Sequence, residues 1–120
     1  MPFKIKHPTT IEAAESKFKR IEEIVGRINS KTAEVSIARV VCPPGRKEPG
    51  QTADFVECTI VLKGELQVET RSEVINVYPG EAIVVNPGEW VQFSTPGEDG
   101  AEYYAICVPA FSQDSVHRDE

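Results

Sequence analysis

The chain reads as an all-β sandwich or barrel, and three observations carry that reading. Short apolar and β-branched runs recur at intervals near ten residues, and Gly and Pro punctuate the gaps between them. Ala82 to Val85 is apolar on both faces, as a strand buried inside a sandwich is. No internal repeat and no low-complexity segment interrupts the series.

One short helix precedes the strands in this reading. Thr9-Thr10-Ile11-Glu12 has the spacing of a capping box, and Ile11, Ala14 and Phe18 fall on one helical face. Ile24 to Ile28 and Val35 to Val41 are β-rich runs, with Asn29-Ser30-Lys31-Thr32 as the hairpin turn between them. Gly26 then marks a bulge or a close backbone approach. Pro43-Pro44-Gly45 ends the second run, because two prolines remove two ladder donors in succession. After a loop to Gly50, a strand runs from Phe55 to Leu62 and turns at Lys63-Gly64 into Glu65 to Thr70. Tyr78-Pro79-Gly80-Glu81 and Asn86-Pro87-Gly88-Glu89 are turns on either side of Ala82 to Val85. Trp90 to Ser94 and Glu102 to Val108 supply the last two strands, and an ordered arm starts at Pro109.

At 120 residues, 40% hydrophobic and 27% charged, the chain has enough apolar content for one core and too little length for two ordinary domains. The expectation is a single domain over 1–120, with its core over 21–108 and the arm over 109–120. No apolar run approaches the ~18 residues of a membrane span. The N-terminus carries Lys4, Lys6 and His7 without a following apolar stretch, unlike a secretion signal, so a cytoplasmic protein with no membrane partner is expected. Cys42, Cys58 and Cys107 are odd in number and lack a CxxC spacing, which suits small buried residues better than a disulfide framework or a zinc knuckle.

The net charge of −6 conceals an asymmetry. Residues 1–47 hold ten Lys and Arg against five acids, and the remainder holds three against fourteen. The two segments either neutralise each other within one barrel or leave a basic lip of Arg39, Arg46 and Lys47 that attracts an anionic small molecule. An acidic chain without a basic cluster interleaved with aromatics does not suit nucleic-acid binding.

Two stretches carry a family resemblance. Gly45 to Gly64 resembles the first cupin motif, G(x)5HxH(x)3-4E(x)6G, and Gly80 to Val91 resembles the second, G(x)5PxG(x)2H(x)3N. The resemblance implies a cupin-type β-barrel, the jelly-roll form of double-stranded β-helix, here with the short N-terminal helix. It also implies a metal site, whose four ligand positions fall on Gln51, Ala53, Glu57 and Val91; only Glu57 retains a ligand of the family. Asn86 stands at the first proline of the second motif, and Ser94 or Thr95 near its asparagine. Ile21 to Arg27, Glu48 to Gln51 and Val108 to Asp119 are further similar to segments of small single-domain cupins, a likeness that brings no activity with it.

Glu57 is the leading chemical candidate, because a carboxylate on the inner face of an apolar strand must pair, bind a cation or keep its proton. It is either a structural partner of Arg39 or a tyrosine, or a general acid or base. Gln51 is a poor ligand for transition metals and a good hydrogen-bonding partner for a carbonyl or hydroxyl. Ala53 and Val91 shape the pocket. His117 is the candidate that a C-terminal arm folding over the barrel mouth would bring to the site, against the plainer reading of a surface histidine. Tyr103 and Tyr104 are adjacent, so one faces in and one out, and the sequence does not choose. Arg39, Glu48 and Phe93 complete the candidate ligand-binding set with Gln51 and Val91.

These residues suggest a homodimeric small-molecule-binding cupin, with a small polar or anionic organic ligand and no cofactor. Its chemistry would be isomerisation, epimerisation or elimination, with Glu57, His117 and Tyr103 as the catalytic candidates. A non-catalytic metabolite-sensing or partner-binding module uses the same pocket. A third reading keeps a divalent metal on Glu57, Gln51 and His117 for oxygenase-like chemistry.

Overall fold

A left-handed glycine or a proline stands at most of the corners where the chain reverses, and the strands between them form two facing sheets and a small strap. The computed structural model describes residues 2–12 and 18–119. In chain order the strands are β1 (Thr9–Ile11), β2 (Arg20–Val25), β3 (Ser36–Cys42), β4 (Arg46–Lys47), β5 (Gln51–Ala53) and β6 (Val56–Gly64). They continue with β7 (Leu66–Glu69), β8 (Val74–Val77), β9 (Ala82–Val85), β10 (Gln92–Thr95), β11 (Ala101–Val108) and β12 (Val116–Arg118), the last preceded by a 3-10 turn at Gln113–Ser115. One sheet has the order β1-β2-β3-β11-β6-β9, the other β4-β10-β7-β8, and β12 pairs with β5 alone.

Alternation along the strands builds the interior. Val40, Val61, Leu66, Val68, Val77, Val85, Val91, Ala101 and Tyr103 form one buried cluster, to which both sheets contribute. Ala53, Phe55, Cys107 and Val116 form a second, against which Phe111 packs, its ring 6.0 Å from that of Phe55 and edge-on to it. Burying each large side chain contributes about 1.5–3 kcal/mol. Gly64 (φ +76°) and Gly100 (φ +63°) make a corner that no side chain can enter, since a Cβ on Gly64 would collide with the Gly100 carbonyl and one on Gly100 with the Cys42 carbonyl.

The N-terminus differs from the sequence expectation of a helix. Thr9–Ile11 is an edge strand, paired antiparallel with β2 through Thr9↔Glu23 and Ile11↔Ile21. The capping-box spacing is overridden by an open edge of β2 whose unpaired backbone groups accept a further strand. Ala14, part of the expected helical face, lies outside the described residues. The first hairpin is also shifted, because the strand ends at Val25. Glu23, 5% exposed, accepts hydrogen bonds at Oε2 from the backbone N–H groups of Ile28 (3.0 Å) and Asn29 (2.6 Å) and bends the chain into its turn. Gly26 permits this, since a Cβ there would lie 2.5 Å from Glu23 Oε1. Likewise β10 starts at Gln92, because Val91 bridges to Gln51 and the Trp90 indole Nε1 donates to Asp119 Oδ2 at 2.9 Å.

The arm after Val108 is tied down along its length. Ala110 N–H donates to Ala33 O (3.0 Å) and Phe111 N–H to Ser36 Oγ (2.9 Å); β12 then adds to β5 in the register Val116↔Ala53, His117↔Thr52, Arg118↔Gln51. No helix among the described residues is long and apolar enough to cross a membrane.

Candidate functional site

Small side chains in the middle of the inner face create a cavity of about 110 Å³. Across β3, β11 and β6, one cross-strand row reads Ser36–Cys107–Glu57 and the next Ala38–Ala105–Thr59. Alanines where valines would close the sheet face leave room, and Phe55, Phe93, Phe111 and Val116 wall the space.

Glu57 points into this cavity from β6 and keeps part of its surface there. Burial pushes its carboxyl above the ordinary value of 4.5, and the nearby positive charges of Lys19 and Arg118 oppose that shift without reversing it. Cys107 is its cross-strand neighbour, and burial next to Glu57 raises the thiol as well, so the sulfur stays protonated and is not a nucleophile at neutral pH. Tyr103 is the inward tyrosine, 8% exposed and lining the cavity, whereas Tyr104 faces the other side. The choice follows from the unbroken register of β11 on β3, which puts Ala101, Tyr103 and Cys107 on the inner face; the bulge at Leu62 lies on β6 and shifts that strand alone.

The remaining sequence candidates divide. Gln51 and Phe93 line the cavity with Glu57 and Tyr103. Val91 belongs to the main core, its backbone N–H and C=O both bonded to Gln51. Arg39 lies on the outer face of the large sheet, where its Nε donates to Glu102 Oε2 at 2.8 Å and Nη1 sits 3.8 Å from Glu22. Glu48 pairs with Lys19 at 3.2 Å, at the edge of the cavity and not in its lining. These two contacts join the basic N-terminal third to the acidic remainder. The expected basic lip of Arg39, Arg46 and Lys47 does not border the cavity, and Arg46 instead stacks on Phe18, 3.7 Å from the ring centre.

His117 is placed away from the cavity. It is exposed, and its Nε2 lies 3.0 Å from Asp54 Oδ1. Its neighbours Val116 and Arg118 line the cavity, because successive residues of β12 project to opposite sides. Sequence reasoning named the right arm and the wrong parity. It also passed over Lys19, which the first hairpin brings to the cavity; Glu23, inside the quoted Ile21 to Arg27 segment, was the available hint that this hairpin turns inward.

The metal implied by the motifs does not fit the residues present. Two ligand positions, Ala53 and Val91, are buried and apolar, and the alternative ligand His117 faces away from Glu57 and Gln51. Among the described residues, no group of three His, Cys, Asp or Glu side chains converges to hold an ion. Among the described residues, this partly open cavity brings together the Glu57 carboxyl with its raised pKa, the carboxylates of Glu12 and Glu23, the amides of Gln51 and Gln113, the hydroxyls of Ser36 and Tyr103, and the cations Lys19 and Arg118.

A family model of the cupin domain matches residues 38–108. The endoribonuclease YbeY of Myxococcus xanthus is 37% identical over 99 residues, which are 82% of this chain and 34% of that protein, so the chain spans about a third of the length of this curated relative. Among solved structures, the polyketide cyclase RemF from Streptomyces resistomycificus superposes with a TM-score of 0.80 at 15% identity, covering 100% of this chain and 87% of that one. The Streptomyces nucleoside dehydratase Pac13 gives 0.76 at 12% identity, covering 100% and 91%. KdgF from a Halomonas species gives 0.70 at 14%, covering 80% and 84%. At these identities the structural likeness concerns the fold. The motif spacing, the barrel and the family match over most of the strands agree, and the chain belongs to the cupin family.

Proposed function

We propose that this cupin is a metal-free acid/base enzyme that moves a proton next to the carbonyl of a small organic molecule held in the cavity. The observation that carries the proposal is Glu57: a carboxyl with a raised pKa is a stronger base than an ordinary carboxylate once ionised, and it faces a partly open, mainly apolar cavity. The ionised carboxylate takes a proton from the carbon beside the carbonyl. The electron pair of that C–H bond forms a carbon–carbon double bond, and the carbonyl oxygen takes up the charge. Gln51 donates an amide N–H to that oxygen, and the Tyr103 phenol is a further polar group lining the cavity. Glu57 then returns the proton to the same carbon, on either face, as the carbonyl re-forms, or to a hydroxyl leaving from the next carbon as the α–β double bond forms, which gives exchange, epimerisation or elimination. A dehydratase and a cyclase on similar barrels support a proton-transfer reading.

Exchange of C–H for C–D in D2O, followed by NMR over a panel of small aldehydes, ketones and oxo acids, tests the proposal. Catalysed exchange is expected with at least one compound, falling roughly 100-fold or more in Glu57→Gln. Its rate should rise with pH and level off above the raised pKa of Glu57, since only the ionised group is a base. Exchange that survives Glu57→Gln sinks the proposal.

The match to one third of an endoribonuclease favours a second reading, in which this barrel is an accessory module of a larger RNA-processing assembly. With a net charge of −6 it would act on a protein partner and not on RNA directly. That reading predicts no catalysed exchange and an unchanged partner affinity in Glu57→Gln.

A further inference from the structure

The large sheet has a second face, which the cavity does not use. Glu57, Thr59 and Val61 of β6 point inward with Tyr103, Ala105 and Cys107 of β11, so the residues between them form the outer surface. Cross-strand register sorts that surface into rows. One runs Ile37–Ile106–Cys58–Val84 across β3, β11, β6 and β9. On one side of it lies the row Arg39–Tyr104–Ile60–Ala82, and on the other the pair Val108–Val56. Val84 and Val108 are 57% and 49% exposed, and Ile37, Cys58, Ile60 and Ile106 are half-buried. Neither core cluster of the described residues includes any of them.

The charges gather at one corner. Arg39 is held by Glu102 at 2.8 Å and by Glu22 at 3.8 Å, and Arg20 and Lys63 lie in the row beyond. A face of a single sign would call for a partner of the other sign. This corner carries both, paired within the chain, and so does not repel a copy of itself when a two-fold axis sets like against like.

Area points the same way. Four strands about 4.8 Å apart and three rows about 6.7 Å apart give the apolar part a flat area of roughly 400 Å², and the charged corner brings the face to roughly 600 Å². Projecting side chains expose more than their footprint, so covering the face removes close to the about 800 Å² per partner of a standard stable interface. About two-thirds of it is apolar, near the roughly 65% of homodimer interfaces. Apolar patches of several hundred square ångströms mark association surfaces.

We infer that the outer face of the large sheet is the contact surface of an isologous homodimer, packed sheet on sheet with Cys58 inside it. Facing sheets pack about 10 Å apart, and the short Ile, Val, Ala and Cys side chains of the central rows suit that spacing. The contact backs the strands that present Glu57 and Cys107 to the cavity and stands independently of the acid/base reading.

Sedimentation equilibrium at roughly 50 µM, above the micromolar end of interfaces of this size, tests the inference. The expected mass is twice the 13.3 kDa of one chain. Val84→Lys and Ile37→Lys each bury an ammonium twice per dimer and should weaken association roughly 100-fold or more. In the single chain a lysine stem lies along the apolar surface with its head in water, so both variants keep the fold. Val74→Lys, at a side chain 55% exposed on the edge strand β8 of the other sheet, should remain a dimer. Cys58 supplies a second readout, because Cys42 and Cys107 are buried. Its reaction with N-ethylmaleimide should be at least roughly tenfold slower in the wild type than in Ile37→Lys. A monomeric wild type overturns the inference without any variant having to fold. So does a dimer that survives both face variants, a dimer broken by Val74→Lys as well, or a Cys58 that reacts equally fast in the wild type and Ile37→Lys.

Discussion

At the scale of single residues, one carboxyl group dominates. Glu57 was legible in the sequence as a charge within an apolar strand, and its place on the inner wall follows from alternation with Thr59 and Val61, both fully buried. Its raised pKa has a consequence for stability. Below about pH 4.5 the group is protonated in both folded and unfolded chains. As pH rises from there, the unfolded chain ionises while the fold resists, so stability is lost until the folded pKa is passed. Melting temperatures of wild type and Glu57→Gln measured from pH 4 upward should therefore diverge, the wild type falling relative to the variant and the gap becoming constant above the folded pKa. Parallel curves would show that burial does not hold the proton. The tyrosine choice, in contrast, was not legible: Tyr103 and Tyr104 are chemically identical neighbours, and the register of β11 against β3, Tyr103 beside Val40 and Tyr104 beside Arg39, decides which enters the barrel.

At the scale of elements, the corners matter as much as the strands. Gly80 (φ +87°) and Gly100 (φ +63°) both adopt the left-handed conformation, but a Cβ on Gly80 would meet open space and one on Gly100 the Cys42 carbonyl. Gly80→Ala should cost about 1–2 kcal/mol from conformation alone. Gly100→Ala should cost a further 1–3 kcal/mol, roughly the penalty of overpacking, because backbone and not a movable side chain stands in the way. Urea denaturation of the two variants checks this, and equal losses would mean that the corner relaxes at no cost. Both turns are readable as Gly-containing breaks; the collision at Gly100 arises only when β3 and β11 come together. The N-terminal strand makes the same point, because the T-x-x-E pattern at Thr9 is a local helix signal that lost to pairing with β2.

For the whole molecule, the barrel keeps the family's frame and loses its metal cage. Ala53 and Val91 fill two ligand positions with apolar atoms inside the core clusters. Protein purified without a histidine tag and incubated with iron, manganese, nickel or zinc salts should retain far less than one ion per chain by elemental analysis, and stoichiometric retention would show that other residues rebuild the site. The segregated charge of the sequence is resolved in the same frame, as Arg39 meets Glu102 and Lys19 meets Glu48 across large sequence separations. The sequence by itself determined the all-β class, the motif spacing, the degenerate ligand set and Glu57, because period-two alternation, turn residues and a misplaced charge are local properties. Only the tertiary structure decided that Arg118 and not His117 turns inward and that Lys19 reaches the cavity. It also showed that two rows of small residues leave the cavity at all. Those outcomes depend on registers between strands far apart in the chain, such as Arg118 with Gln51, which no local pattern encodes.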